Sequence, residues 1–159
     1  MNLRQLVILA AFALPSIACG RTVTPAELDA YESRSYAGYD KKQVLRATVT
    51  ALRSLGYEVV AVDDKAGRVK TAPKLVVVHA ARTSSTTAVA VGDSIAWTVD
   101  VSTATRGASV HAEPRLYSSG QAVEATRLNH DYADRTFKTL YSEIESNLAP
   151  ATTSADLKR

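Results

Sequence analysis

Few residues in this chain could do chemistry. It holds one cysteine, Cys19, and three histidines, His79, His111 and His130. A single thiol excludes an internal disulfide and a cysteine metal site. The histidines form no i,i+4 pair and no H-E-x-x-H spacing, so they read as sheet-surface or loop residues rather than metal ligands. Asp63 and Asp64 could give half of a carboxylate pair or bind calcium. The EF-hand spacing is absent, however, and Asp63 to Gly67 is turn chemistry. Serines are plentiful, yet there is no G-x-S-x-G elbow and no S-x-x-K motif. His130 and Asp131 are a dyad only by adjacency, and Asp131 is explained as a helix cap. Trp97, the only tryptophan, reads most simply as core packing; the sharper alternative is a residue lining a ligand cavity. The sequence predicts no catalytic residue, no metal and no cofactor, and so a protein that is not an enzyme.

Cys19 does have a context. Arg4 gives a short positive segment, Leu6 to Leu14 is apolar, and Pro15-Ser16-Ile17-Ala18 is a small-residue exit. The apolar run is far shorter than the roughly 20 residues a bilayer span needs, but it suits a signal peptide. With Ala18 before the cysteine, the stretch resembles the lipobox of bacterial lipoproteins. Ser16 and Pro15 depart from the usual pattern. The resemblance implies a signal peptide over 1–18 and an acylated Cys19 as the first mature residue. It also implies attachment to a membrane without spanning it. Gly20 stands where an Asp signals inner-membrane retention in enteric bacteria, so the family rule points to the outer membrane, facing the periplasm. The other reading is an ordinary signal peptide with Cys19 incidental.

The remainder must supply the fold. At 159 residues there is room for one domain with a real core. The net charge of +3 falls to about +2 without Arg4. With no basic stripe carrying aromatics, it gives no argument for nucleic acid. The most informative stretch is Tyr36 to Thr71. Asp40 and Gln43 form a capping box, and Val44, Leu45, Thr48, Ala51, Leu52 and Leu55 make one apolar stripe. Gly56 stops the helix. Tyr57 to Val62 reads as a strand, apolar on both faces and hence interior. Arg68 to Thr71 returns after a turn, until Pro73 interrupts it at a bulge or an edge.

Lys74 to Arg82 is strand-like, Thr83 to Thr87 reads as a loop, and Ala88 to Val91 as a short edge strand. Ile95 to Thr103 and Val110 to Leu116 alternate cleanly, which predicts an antiparallel sheet with one wet face. Ser118 to His130 reads as a loop. A last helix follows, with Ala133, Phe137, Leu140, Tyr141, Ile144 and Leu148 on its apolar stripe and Pro150 ending it. Before Tyr36, Thr24-Pro25-Ala26-Glu27 could cap a short helix, followed by a first short strand; a polar leash reads equally well. The expected architecture is an α+β two-layer sandwich, with an antiparallel sheet of about four strands and two helices on one face. The expected divisions are a signal over 1–18, a tether over 19–33, the domain over 34–149 and a tail over 150–159.

The pattern from Asp40 through Leu55-Gly56-Tyr57 to Asp63, Gly67 and Thr71 resembles small uncharacterised proteobacterial lipoproteins. Arg34-Ser35-Tyr36 before it and Tyr132 to Phe137 after it extend the resemblance, which covers about 34–148. The helix–strand plan is more distantly similar to helix-grip domains of barrel-assembly accessory lipoproteins. These motifs are structural, so the resemblance implies a fold and an envelope location and carries no catalytic residues. Three functions remain in view. The first is a membrane-anchored structural or protein-interaction module, taking an envelope protein along an edge near Leu75 to Ala80 or Ala88 to Val91. The second is a binder of a small apolar or lipid ligand held between helix and sheet. The third, a hydrolase, needs a nucleophile and base that the sequence does not bring together.

Overall fold

The computed structural model describes residues 21–84 and 87–148, with side chains described outside 77–91. Cys19, the signal and the tail over 150–159 lie outside the described residues. Along the chain come α1 (Pro25–Glu32), β1 (Ser33–Ala37), α2 (Lys41–Ser54), β2 (Val59–Asp63), β3 (Arg68–Thr71) and β4 (Lys74–Ser84). Then follow β5 (Thr87–Ala104), β6 (Gly107–Ser118), β7 (Gln121–Val123), a 3-10 turn (Ala125–Arg127) and α3 (His130–Leu148).

This corrects the expected architecture: the described residues form a seven-stranded antiparallel sheet with three helices, mostly sheet, not four strands with two helices. The physical reasons are local. Thr83 to Thr87 is polar, but the strand pairing reaches into it from both ends, with Arg82 against Ala88 and Ser84 against Thr87. The expected short strand at Ala88 to Val91 is therefore the first third of one long β5. Ser118 to His130 hides β7, which is only three residues long and too short to show a period.

β5 is the spine. Along one edge it pairs with all of β6. Along the other it pairs with β4 through its first half and with β3 through Thr98 to Asp100. β3 and β4 are thus one edge line broken at Ala72-Pro73. The break is bridged by a side chain, since the Trp97 N–H donates to Thr71 Oγ1 at 2.9 Å. That bond also shows that the Trp97 backbone faces away from β6. Its partner Pro114 therefore turns its nitrogen outward, where a missing N–H costs no ladder bond. Outside β6, β1 covers Gly107 to His111 and β7 covers Leu116 to Ser118, leaving Ala112 to Arg115 without a strand neighbour among the described residues.

The core lies between the helices and the face carrying Ile95, Trp97, Val99, Val101, Ala108, Val110, Ala112 and Leu116, all buried. The opposite face is polar, with a two-bond Arg68–Asp100 pair across β3 and β5 (2.6 and 3.1 Å). Asp40 and Gln43 close a reciprocal capping box on α2 (2.7 and 2.9 Å). Gly56 ends that helix at φ 78°, with Tyr57 N–H on the Leu52 carbonyl and Gly56 N–H on that of Arg53, which is a Schellman cap. β2 is not interior. Among the described residues it pairs only with β3, and it is bulged between Val59 and Ala61. Val60 is 58% and Val62 44% exposed.

Candidate functional site

The segment 21–37 is not a leash: it enters along the start of α3 and then forms α1 and β1. Thr24 and Glu27 cap α1 reciprocally. Val23 and Leu28 are buried in the core. Just before the helix, the incoming chain runs antiparallel to the segment leading into α3. Val23 N–H donates to the Leu128 carbonyl (3.0 Å), His130 N–H donates to the Arg21 carbonyl (2.9 Å), and Thr22 bridges Asn129. The cap of α3 is Asn129, not the expected Asp131: its Oδ1 accepts from the N–H groups of Asp131 (3.0 Å) and Tyr132 (3.4 Å).

Leu128 and Asn129 then line a cleft of 380 Å³ together with Ile95 on β5, Leu116 on β6, Val123 on β7 and Tyr132 on α3. Such a volume is typical of small-ligand sites, which run from roughly 300 to 1,000 Å³. Arg127 and Ser118 supply polar groups at its lining. Beyond Tyr132 a second cleft of 200 Å³ is lined by Tyr57, Lys74, Trp97, Arg135 and Leu140. Lys74 is held there by donating to the Leu55 carbonyl at the end of α2, 5.0 Å above the Tyr57 ring. Trp97 itself is core: it is 2% exposed and packs edge-on against Phe137, centroids 5.3 Å apart. Its Nε1 and the Tyr36 hydroxyl are buried without hydrogen-bond partners among the described residues. Burial accordingly pushes the Tyr36 hydroxyl far above its ordinary range.

The titratable residues do not converge. His79 falls on β4, with its side chain outside the described residues. His111 lies on the polar face of β6, its Nδ1 3.3 Å from Ser33 Oγ and its Nε2 3.7 Å from Glu32 Oε2. Glu32 is only 8% exposed. Burial raises its carboxyl above the ordinary value, with His111 opposing and Asp29 and Glu113 reinforcing the rise. Glu32 and His111 border an open groove of 500 Å³, but Ser33 lies outside it. The order serine–histidine–carboxylate is thus present with long contacts and with the hydroxyl on an exposed strand, not as a nucleophile aimed into a site.

His130 and Asp131 do touch (3.3 Å), against the expectation from adjacency, and His130 Nε2 also meets the Tyr31 hydroxyl at 3.2 Å. Burial pushes that hydroxyl up, not down. The contact ties α1 to α3. Asp63 Oδ1 accepts from Ala66 N–H (2.8 Å), as a turn former does. Among the described residues, no group of three or more His, Cys, Asp or Glu could hold a metal ion, and no helix is long and apolar enough to cross a membrane.

Sequence reasoning missed the cleft residues Val123 and Leu128 and the buried Glu32. Tyr132 carried a signal: it stands one position off the buried stripe of α3 at Ala133, Phe137 and Leu140, which marks a flank of the helix.

No protein-family model matches the chain, and neither does any curated protein. Among solved structures, a DUF4468 family protein from Bacteroides ovatus is a neighbour. It is 11% identical with a TM-score of 0.40, over 76% of this chain and 86% of that one. A likeness at that level carries no argument about fold or function.

Proposed function

We propose that this chain is a lipoprotein anchored through acylated Cys19 and facing the periplasm, on the outer membrane by the Gly20 rule. Its domain acts as a non-catalytic structural or protein-interaction module of the cell envelope. The observation that carries the reading is the shortness of the link. Arg21 is already hydrogen-bonded into the fold, and two residues extend at most about 7 Å. A domain so joined to a lipid sits on the membrane surface and meets partners there.

Two edges suit such a partner, by strand addition or apolar contact: the expected one at β4, with Leu75 exposed, and the bulged β2, with Val60 and Val62 exposed. A photo-crosslinking residue at Val62 in the full chain should capture an envelope protein. Intact mass of the membrane-extracted protein should show a chain beginning at a lipid-modified Cys19. A strictly monomeric protein with no crosslinked species removes the interaction role, and an unmodified cysteine removes the anchor.

The 380 Å³ cleft favours a second reading, a binding protein for a small apolar ligand. Native mass spectrometry of the full chain with Cys19→Ser should then show a co-purifying apolar molecule.

A further inference from the structure

We infer that the cleft between α3 and the β5–β6–β7 surface holds one acyl chain of this protein's own lipid anchor. The inference rests on acylation of Cys19 and on the cleft read above as an apolar binding site. Its first support is position. The incoming chain is pinned by Arg21 and Val23 to His130 and Leu128, and Leu128 and Asn129 are themselves cleft residues. Cys19 is two residues before Arg21, within roughly 7 Å along an extended chain. An acyl chain on its sulfur or amino group therefore starts within a few residues' reach of Leu128 and Asn129 at the cleft.

Chemistry is the second support. Ile95, Leu116, Val123, Leu128 and the Tyr132 ring line its apolar side, while Arg127, Asn129, Asp93 and the serines at 94 and 118 make a polar side suited to the ester and amide head of the anchor. The volume, 380 Å³, is that of one small ligand, so one chain enters and the others stay in the bilayer.

The third support is competition. A free lipid must reach the cleft by diffusion, whereas a tethered chain is present at the high effective concentration set by a short link. A hydrocarbon chain loses contact with water along the apolar side of the cleft, which offsets part of the cost of leaving the bilayer. Occupied in this way, the cleft holds the α3 N-terminal end of the domain against the membrane.

The test uses the full-length protein in cells fed a photoactivatable fatty acid that is incorporated into the anchor. After irradiation, the protein is extracted, its intact mass measured and its crosslinks mapped. The expected result is an acylated Cys19 with intramolecular crosslinks to peptides containing Leu116, Val123, Leu128 or Tyr132. Val123→Trp, which fills the cleft from its half-buried rim, should cut those crosslinks several-fold with acylation and melting temperature unchanged. An acylated protein with crosslinks only to phospholipid or outside the cleft overturns the inference and leaves the anchor intact. A free fatty acid or phospholipid adduct inside the cleft, with none from Cys19, also overturns it and makes a diffusing lipid the ligand. An unmodified Cys19 overturns both the inference and the lipoprotein reading beneath it.

Discussion

Thr71 shows how one hydroxyl can complete a sheet. At the break before Pro73 the ladder offers no carbonyl to the Trp97 N–H, and Thr71 Oγ1 takes it. Both residues are buried. Thr71→Val keeps the shape and removes the acceptor, so it should cost about 1–3 kcal/mol, the range for orphaning a buried donor. Thr71→Ser should lose much less, and chemical denaturation of the two variants separates the bond from the packing.

Glu32 makes the opposite case, a buried group whose charge works against the fold. Burial raises its carboxyl above the ordinary 4.5. Below that value the group is protonated in both folded and unfolded chains and carries no penalty. As pH rises through the raised value, the native state must ionise it in a poorly hydrated place, and stability falls. Glu32→Gln should therefore raise Tm at pH 7, and the gain should close as the pH is lowered toward 4. A gain of equal size at both pH values would mean that charge burial is not its cause.

Secondary elements differ in how far their sequence determines them. The second helix was legible from end to end because its signals are local: Asp40 and Gln43 at one end, Gly56 at the other and a 3.6-residue stripe between. The Ile95 to Thr103 part of β5 and most of β6 were legible because alternation needs no knowledge of neighbours. The misread elements are those whose place depends on distant partners. Val59 to Val62 looks interior by composition, and nothing in those residues says that β3 is their only neighbour. β1 and β7 exist because β6 offers an edge to each.

Two glycines test the local reading at this scale. Gly56 sits at φ 78° at a helix end, where a Cβ would meet only the tip of Lys74. Gly56→Ala should cost roughly 1–2 kcal/mol, the steric cost of left-handed backbone. Gly67, at φ 81°, turns β2 into β3, and a Cβ there would run into the Val101 carbonyl and Lys41. Gly67→Ala should be clearly worse, shown by a lower denaturation midpoint than that of Gly56→Ala.

For the whole molecule, the proposed anchor and the cleft differ in how a sequence can carry them. Residues 1–20 make a linear pattern that resembles a lipobox and sits in one window of sequence. The cleft is assembled from β5, β6, β7, the 3-10 turn and α3, so no window of sequence contains it. The Ser33–His111–Glu32 and Tyr31–His130–Asp131 contacts arise only in three dimensions. At this scale Cys19→Ser should move the protein from the membrane to the soluble fraction on cell fractionation, with the domain's Tm retained. Val62→Lys should abolish capture of a partner at the β2 edge without moving the protein off the membrane.

The 18-residue β5 has a consequence of its own. Its residues from Asp93 to Ala104 are flanked by β6, and Thr98 to Asp100 also by β3, while Thr87 to Gly92 are paired with β4 alone. One strand therefore belongs to two cooperative units. Hydrogen exchange along it should show a step near Gly92: amides beyond Ile95 exchange only when the whole domain opens, and those before Gly92 exchange through an opening of the β4–β5 ribbon that leaves the core closed. The ribbon can thus register contact with a neighbour as slowed exchange, while the core provides a constant internal reference in the same strand.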